Sequence, residues 1–154
     1  PLLLRGMGSR RYDAEGIAAK PLTLVENGVV RNIYVDTYYG RKLRMQPTTG
    51  SSSNVIIKPG GQSLAELISA AGEGIYVTSW LGGNADNTTC EFSLGLRGHL
   101  IENGSVGAPV DEMNVTGDLE TLFASLVEVG NDPWLYSTTR SPTLVFEKVH
   151  FSGA

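Results

Sequence analysis

The stretch "HLIENGSV", residues 99–106, places an Asn-Gly pair between two runs of strand-forming residues. Asn-Gly readily takes the positive φ values of a type I′ turn, which joins neighbouring antiparallel strands. An earlier stretch, "TLVENGVV" at residues 23–30, repeats the pattern. The flanks of the two stretches differ too much to indicate a duplicated domain, so we interpret both as β-hairpins. Glu26 and Glu102 then lie at strand ends, where no partner is predicted that would make an acid–base pair.

Further strands are predicted wherever Val, Ile, Tyr, Phe and Thr accumulate. Pairing between neighbours along the chain predicts that these strands are antiparallel. Two glycine-containing segments, residues 46–54 and 81–89, are predicted as long loops, where binding residues usually lie. The predicted strands are residues 22–26, 29–35, 54–58, 75–80, 90–101, 105–115 and 142–151.

Two segments have the apolar spacing of an amphipathic helix. The first covers residues 63–71, where Ser63 and Glu66 fit a capping box and a glycine follows the last turn. The second covers residues 118–129, with Asp118 as the predicted N-cap. The apolar positions are Leu64, Leu67, Ile68 and Ala71 in the first helix and Leu119, Leu122, Phe123 and Leu126 in the second.

A shorter helix is predicted over residues 36–43, capped by Asp36, although Gly40 disfavours it. Together these elements predict an α+β fold, with antiparallel, hairpin-rich β-sheets and two amphipathic helices packed on them. A chain of 154 residues is long enough for one core, and no linker divides it. We therefore expect a single domain over residues 1–154.

Charge and composition exclude several classes of protein. The net charge of −4 argues against a general nucleic-acid binder, which needs clustered Lys and Arg. Arg5, Arg10 and Arg11 form an N-terminal basic group that is typical of a solvated face. No apolar run reaches the roughly 20 residues of a membrane helix, and no signal peptide is recognisable. The one cysteine, Cys90, excludes an intramolecular disulfide and favours a reducing compartment, so we expect a soluble, cytoplasmic protein.

Several candidate catalytic and metal-binding residues have a simpler structural interpretation. "GQSLA" at residues 61–65 resembles a nucleophile elbow, but its last glycine is missing and Ser63 is already predicted as a helix cap. "RGMG" near the N-terminus lacks the third glycine of a dinucleotide site and is interpreted as a turn. His99 and Cys90 are too few for a recognisable metal site, and His150 stands apart. Three glycosylation sequons, at Asn87, Asn103 and Asn114, matter only in a secretory compartment.

The segment "EVGNDPWL", residues 128–135, leaves two interpretations open. In the favoured one, the second helix ends at Gly130 and a turn follows, anchored by Trp134. In the alternative, Asn131 and Asp132 contact a ligand. No residue is therefore assigned as catalytic, cofactor-binding or metal-binding.

Five segments in order carry a family resemblance. They are "DAEGIAAKPLTLVENGVVRNIYVDTYYGRKL" (13–43), "GIYVT" (74–78), "EFSLGLRGHLIENGSVGAPVDEMNVTGDLETL" (91–122), "EVGNDPW" (128–134) and "SPTLVFEKVHFSG" (141–153). In order and spacing they resemble the C-terminal region of the TldD/PmbA family, in which PmbA is also called TldE. The family was long labelled a modulator of DNA gyrase. The resemblance covers nearly the whole chain and implies that it is a piece of a longer protein.

The resemblance implies a cytoplasmic, two-subunit zinc peptidase that cleaves unfolded or flexible peptides. TldD carries the zinc on an H-E-x-x-x-H helix, and TldE is its metal-free partner. TldD-type chains insert a longer, cysteine-bearing loop after "VGND", whereas here Val129–Leu144 has no insertion and no cysteine. The chain therefore resembles the TldE/PmbA subunit, with no cofactor of its own and zinc in the partner.

The expected partners are the TldD-like subunit, the missing N-terminal region of its own chain and peptide substrates. Nucleic acid and membrane are not expected. Two other functions stay open. In the first, the chain is a stand-alone module that binds peptides by strand addition at a sheet edge. In the second, it modulates DNA gyrase directly. An H-E-x-x-x-H helix upstream of Pro1 would reverse the subunit assignment.

Overall fold

The computed structural model of the protein describes residues 1–153. Its strands are β1 (Val25–Glu26), β2 (Val29–Val30), β3 (Val55–Ile56), β4 (Gly74–Ala85), β5 (Glu91–Glu102), β6 (Ser105–Asp118), β7 (Leu126–Val129), β8 (Thr139–Arg140), β9 (Leu144–Phe146) and β10 (Phe151–Ser152). Its helices are α1 (Thr37–Leu43), α2 (Leu64–Ala71) and α3 (Leu119–Ala124). The described residues form two compact units. Unit 1 comprises Pro1–Ile57 and Trp134–Ser141, and unit 2 comprises Lys58–Pro133 and the described residues from Pro142 onward.

The main sheet of unit 2 has four antiparallel strands in the order β10, β6, β5, β4. Register shifts in the β4–β5 ladder fall between Val77 and Ser79 and between Trp80 and Gly82. Such bulges increase the local twist of a strand. Because β4 has β5 as its one partner in this sheet, β4 forms an edge of the sheet.

The core of unit 2 lies on the sheet face that carries Phe92, Leu94 and Leu96 of β5. Leu96 is fully buried and packs in a cluster with Phe92 and Val115. Partly buried side chains from every strand of this sheet and from α3 complete the cluster: Ile75, Val77, Leu94, Met113, Leu122, Val149 and Phe151. Burial of these apolar groups supplies most of the stability of unit 2.

Both Asn-Gly pairs form the predicted hairpin turns. Asn27 and Gly28 have φ values of 52° and 75°, and Asn103 and Gly104 have values of 50° and 71°. The surroundings of the turns differ. The amide of Gly104 donates a hydrogen bond of 2.8 Å to the carbonyl oxygen of Gly72 at the end of α2. By contrast, every residue of the earlier hairpin from 25 to 34 is exposed.

Helix α2 begins and ends as its sequence predicts. Ser63 accepts a hydrogen bond from the amide of Glu66, whose side chain accepts one from the amide of Ser63. This reciprocal pair is the predicted capping box. Leu67 and Ile68 are buried, so they form the packed face of the helix.

The predicted helix over residues 118–129 is wrong in its second half. Asp118 caps α3 as predicted, but the helix ends at Ala124 and residues 126–129 form β7. Ser125 closes the helix through its amide, and its hydroxyl donates to the carbonyl oxygen of Leu122. β7 then pairs with β9, so backbone pairing with a distant segment overrides the local helical spacing.

Other predicted strands are shorter, longer or differently paired. The segments 22–26 and 29–35 contain only the two-residue strands β1 and β2, and 142–151 is divided into β9 and β10. The β4 strand extends through Ala85 into the predicted loop 81–89. β3 pairs with β8 in parallel, although antiparallel pairing was predicted for all strands. The pairing of β3 with a segment about 80 residues away cannot be inferred from neighbouring turns.

Loops of unit 1 are held together by a polar network around Asp13. Its carboxylate accepts hydrogen bonds from the amides of Glu15 and Ile17 and from the hydroxyl of Thr49. Asp13 is the one charged side chain among the described residues that is classed as buried. Arg10 adds hydrogen bonds to Thr49 and to the carbonyl oxygen of Ser51. Hydrogen bonds therefore organise residues 46–54, the predicted loop.

The α+β fold is confirmed, with antiparallel sheets and helices. The predicted helix at 36–43 is also present as α1, capped by Asp36. No helix among residues 1–153 is long and apolar enough to cross a membrane. The single domain expected over 1–154 stays a prediction, and Ala154 lies outside the described residues.

Candidate functional site

The "GND" segment, Gly130–Asp132, joins two parts of unit 2 through its backbone. Gly130 accepts a hydrogen bond of 2.8 Å from the amide of Gly60 and donates one of 2.8 Å to the carbonyl oxygen of Thr143. Asn131 donates from its amide to Gln62 and from its side chain to the carbonyl oxygen of Gly61, at 2.8 and 3.1 Å. The segment therefore links residues 60–62, which lead into α2, to Thr143, which precedes β9.

Thr143 donates two hydrogen bonds to the Asp132 carboxylate. Its Oδ1 accepts from the amide of Thr143 at 2.9 Å, and its Oδ2 accepts from the Thr143 hydroxyl at 2.7 Å. Partial burial raises the pKa of Asp132, but the hydrogen bonds from Thr143 outweigh this effect and leave the pKa below its ordinary value. An ionised carboxylate with both oxygens occupied is suited to holding the backbone and poorly suited to accepting a substrate proton.

Two glycines of this junction, Gly60 and Gly130, leave no room for a side chain. A Cβ atom on Gly60 would lie 1.8 Å from the carbonyl oxygen of Val129. A Cβ on Gly130 would lie 2.5 Å from the Asp132 carboxylate. The contact at Gly60 is with backbone, so close backbone approach requires glycine there. The contact at Gly130 is with a side chain, so a Cβ there would displace the Asp132 carboxylate from its position against Thr143.

Trp134 does not anchor the turn that follows. The sequence predicts an anchoring role, but the side chain is 63% exposed. Its ring makes an edge-on contact with Tyr136, with 5.2 Å between the ring centroids. Since the helix ends at Ala124, the predicted helix cap at Gly130 is also wrong. Asp132 rather than Trp134 fixes this segment.

The candidate nucleophile and metal ligands are not brought together. Ser63 Oγ lies 2.8 Å from Glu66 Oε2 within the capping box. Cys90 is exposed just before β5, and His99 lies on β5 opposite Tyr76 and Pro109. Nine residues of extended chain separate them by about 30 Å. His150 lies just before β10.

The free edge of β4 is the second feature with binding potential. β4 is 12 residues long, and its distal residues from Thr78 to Ala85 are exposed. Trp80 is 57% exposed and Leu81 44% exposed on this edge strand. A long edge strand offers unpaired backbone groups to an added strand. The sequence predicts a loop from residue 81 onward, so the full length of this strand is not predicted.

Comparison with known proteins assigns the family. The sequence model of the PmbA/TldA metallopeptidase C-terminal domain matches residues 1–153. The chain belongs to this family. The resemblance to TldD/PmbA proteins is thereby confirmed, including the predicted position at the C-terminal end of the family's proteins.

Known relatives of this PmbA/TldA domain are much longer than the chain. A metalloprotease PmbA homolog from Haemophilus influenzae is 32% identical over 158 residues, covering 99% of this chain and 35% of that protein. A zinc metalloprotease TldD homolog from Saccharolobus solfataricus is 27% identical over 134 residues, covering 79% of this chain and 30% of that protein. The chain thus spans about a third of the length of these relatives.

A solved structure confirms the fold of the PmbA/TldA domain. This protein from Bacteroides thetaiotaomicron, named for modulation of DNA gyrase, superposes with a TM-score of 0.93 at 45% sequence identity. The superposition covers 98% of this chain and 35% of that one. In this comparison too, the chain spans about a third of its relative's length.

The metal implied by the family name does not fit the donors described here. Within residues 1–153, no three His, Cys, Asp or Glu side chains converge as a metal site requires. Asp132 has both oxygens hydrogen-bonded to Thr143. Cys90 and His99 lie far apart along one strand. We therefore derive no reaction step through a metal held by these residues.

Proposed function

We propose that this chain is the C-terminal domain of a TldE/PmbA-type subunit of a cytoplasmic TldD/TldE zinc peptidase. In this proposal the chain contributes no catalytic group and helps form the chamber that receives unfolded or flexible peptides. Zinc and the attacking water belong to the TldD-like partner. The rest of the same polypeptide is the second partner.

The extent of the sequence match carries the subunit assignment. The PmbA homolog aligns with 99% of the chain and the TldD homolog with 79%. The resemblance supports the same assignment, because TldD-type chains insert a cysteine-bearing loop after "VGND", whereas Val129–Leu144 has no insertion and no cysteine. The engagement of Asp132 by Thr143 supports a structural role for the same segment.

Metal content and activity of the complete subunit test this proposal. We expect the purified full-length protein that contains this chain to hold less than about 0.1 zinc per chain and to leave a flexible, fluorogenic peptide intact. Stoichiometric zinc together with cleavage in the absence of a TldD-like subunit would overturn the assignment. A TldD-like subunit prepared in parallel is the positive control for zinc.

A second function, strand addition of a flexible peptide, is favoured by the edge strand β4. Its 12 residues and the exposed Trp80 offer a backbone edge and an apolar side chain. If the 154-residue chain is a stand-alone peptide-binding module, a flexible peptide will slow amide hydrogen exchange along β4. Unchanged exchange at saturating peptide concentration would eliminate this function. Direct modulation of DNA gyrase is a third possibility that no described residue specifically supports.

A further inference from the structure

Each Asn-Gly pair places a side-chain amide beside a backbone nitrogen that has little steric protection. The asparagine Cγ and the following nitrogen can close a five-membered ring, and a glycine at that position has no Cβ to hinder the approach. Both pairs follow a glutamate, in Glu26–Gly28 and Glu102–Gly104, so their local sequences offer the same chemistry. A difference in reactivity between them therefore depends on the surrounding structure.

Ring closure depends on how readily each turn opens. Asn27 and Asn103 have φ values of 52° and 50°, so both residues are in the left-handed conformation of the turn. The asparagine backbone must leave this conformation before Cγ can reach the nitrogen of the glycine. A turn that opens locally therefore reacts faster than one that is fixed by neighbouring contacts.

The turn at Asn103 is held by α2 and by a long ladder. The amide of Gly104 donates a hydrogen bond of 2.8 Å to the carbonyl oxygen of Gly72, so the nitrogen that would attack Asn103 is already engaged. A Cβ on Gly104 would lie 3.0 Å from the carbonyl oxygen of Ser69, which shows how closely the turn packs. Strands β5 and β6 pair along most of their length on the other side of this turn.

The turn at Asn27 is held by fewer contacts. Strands β1 and β2 pair through two residues each, and the amide of Arg31 adds a hydrogen bond to the carbonyl oxygen of Leu24. Within residues 1–153, the Gly28 amide donates no hydrogen bond, and a Cβ on Gly28 would meet no atom within 4 Å. The nitrogen beside Asn27 is therefore free, and the turn can open with the loss of few hydrogen bonds.

We propose that Asn27 is a site of spontaneous deamidation, and that the contacts of Gly104 with α2 protect Asn103 from the same reaction. The two turns have the same sequence chemistry and similar backbone angles, so the contacts made by the glycines decide between them. This modification site is independent of the subunit assignment, because it depends on contacts of the two hairpins.

The reaction needs water and no other co-reactant. The Gly28 nitrogen loses its proton to solvent and forms a bond to Cγ of Asn27, while the bond from Cγ to Nδ2 breaks. Nδ2 gains a proton and leaves as ammonia, and a five-membered succinimide ring remains. Water then opens the ring. Cleavage of the new bond to Cγ gives aspartate, and cleavage of the original main-chain bond gives isoaspartate.

Isoaspartate changes both the charge and the length of the turn. The product adds a carboxylate beside Glu26, whose side chain pairs with Arg31 at 3.3 Å. It also routes the main chain through the former side-chain carbon, which adds one atom between β1 and β2. Because a two-residue type I′ turn has a fixed geometry, we expect the modified hairpin to lose the pairing of β1 with β2.

Peptide mapping of the full-length protein tests this site. The folded protein is incubated at mildly alkaline pH, and mass spectrometry follows the replacement of NH₂ by OH at Asn27 and Asn103. Fragmentation that separates aspartate from isoaspartate identifies the products. We expect Asn27 to react at least about 10-fold faster than Asn103, which is the internal control because it lies in the same Glu-Asn-Gly sequence.

Two further measurements separate structure from intrinsic reactivity. In guanidinium chloride the contacts of both hairpins are lost, and we expect the two rates to agree within about threefold. The variant Asn27→Gln should abolish the reaction at residue 27, since glutamine must close a less favourable six-membered ring. Its Asn103 should react at the same rate as in the unchanged protein.

Two results would overturn the proposal. Equal rates in the folded protein, or faster reaction of Asn103, would contradict the protection assigned to α2. An intact Asn27 in the folded protein, after the time in which the denatured protein reacts fully, would show that the rest of the polypeptide holds this hairpin closed. Both results leave the subunit assignment intact, because zinc content and peptide cleavage test it separately.

Discussion

At the scale of single residues, the junction around "GND" depends on backbone contacts that a side chain would obstruct. Gly60 and Gly61 are adjacent in sequence, but their surroundings differ. A Cβ on Gly60 would lie 1.8 Å from the carbonyl oxygen of Val129, whereas a Cβ on Gly61 would meet no atom within 4 Å. The two glycines therefore form a matched pair for mutation.

We predict that Gly60→Ala lowers the free energy of unfolding by about 2–3 kcal/mol, because the backbone must move to remove the clash. Gly61→Ala should change it by less than about 1 kcal/mol. Urea denaturation followed by circular dichroism measures both values. Equal effects of the two substitutions would contradict the described approach of Gly60 to β7.

Asp13 makes the stability of unit 1 sensitive to acid. Burial raises its pKa, but hydrogen bonds from the amides of Ile17 and Glu15 and from Thr49, with the charge of Arg10, lower it below the ordinary value of 3.8 overall. The folded state thus favours the ionised form, and its stabilising effect is present above the unfolded pKa. That effect is lost as pH falls through the lowered folded pKa.

We expect the protein to lose stability as the pH falls below about 4, and Asp13→Asn to show a weaker pH dependence in that acidic range. At pH 7 the variant should be less stable, because an amide is a weaker acceptor than a carboxylate. Urea unfolding at several pH values measures how steeply the free energy of unfolding depends on pH. An unchanged slope in Asp13→Asn would show that Asp13 does not contribute to it.

At the scale of elements, the two Asn-Gly turns have the same backbone and different roles. Gly104 packs against α2, where an added Cβ would lie 3.0 Å from the carbonyl oxygen of Ser69. Gly28 has open space around it. Both glycines have positive φ, so alanine is strained at each position.

We predict a loss of about 2 kcal/mol of unfolding free energy for Gly104→Ala, from strain and from the crowded contact with α2. Gly28→Ala should cost about 1 kcal/mol or less, since its exposed hairpin can open locally without unfolding the core. Thermal or urea unfolding compares the two. A larger loss for Gly28→Ala would contradict the difference in packing.

The sequence correctly predicts the elements whose hydrogen bonds join residues that are close together along the chain. The Asn-Gly turns, the Ser63 capping box and the Asp118 cap depend on residues within four positions of one another, so the sequence predicts them correctly. Pairing of β7 with β9, and of β3 with β8, joins distant segments. Spacing along residues 118–129 fits a helix throughout, and tertiary pairing converts its second half to a strand.

The contacts of the candidate site likewise could not be predicted from local sequence patterns. The "GND" segment attracts notice in the sequence, yet its hydrogen bonds go to Gly60, Gln62 and Thr143, which no local pattern connects to it. Trp134 is exposed, and Asp132 holds the segment through Thr143. The length of the β4 edge was missed because glycines at 82 and 83 suggest a loop, whereas their positive φ values are accommodated within a bulged strand.

At the scale of the whole molecule, the chain has the features of one part of a larger assembly. It matches about a third of the length of a PmbA homolog, and unit 1 buries little apolar surface of its own. Unit 2 has an apolar core, more acidic than basic residues, and an edge strand, β4. These features support the proposal that the domain functions together with the rest of a longer polypeptide and a partner subunit.

Reconstitution tests the central claim, that this chain belongs to the non-catalytic subunit of a zinc peptidase. The rate at which a flexible fluorogenic peptide is cleaved should be measured while the full-length protein is titrated into a fixed amount of its TldD-like subunit. We predict no cleavage by the full-length protein alone and a rate that rises to a plateau at one subunit per partner. Cleavage by the full-length protein alone, inhibited by a zinc chelator, would contradict the account.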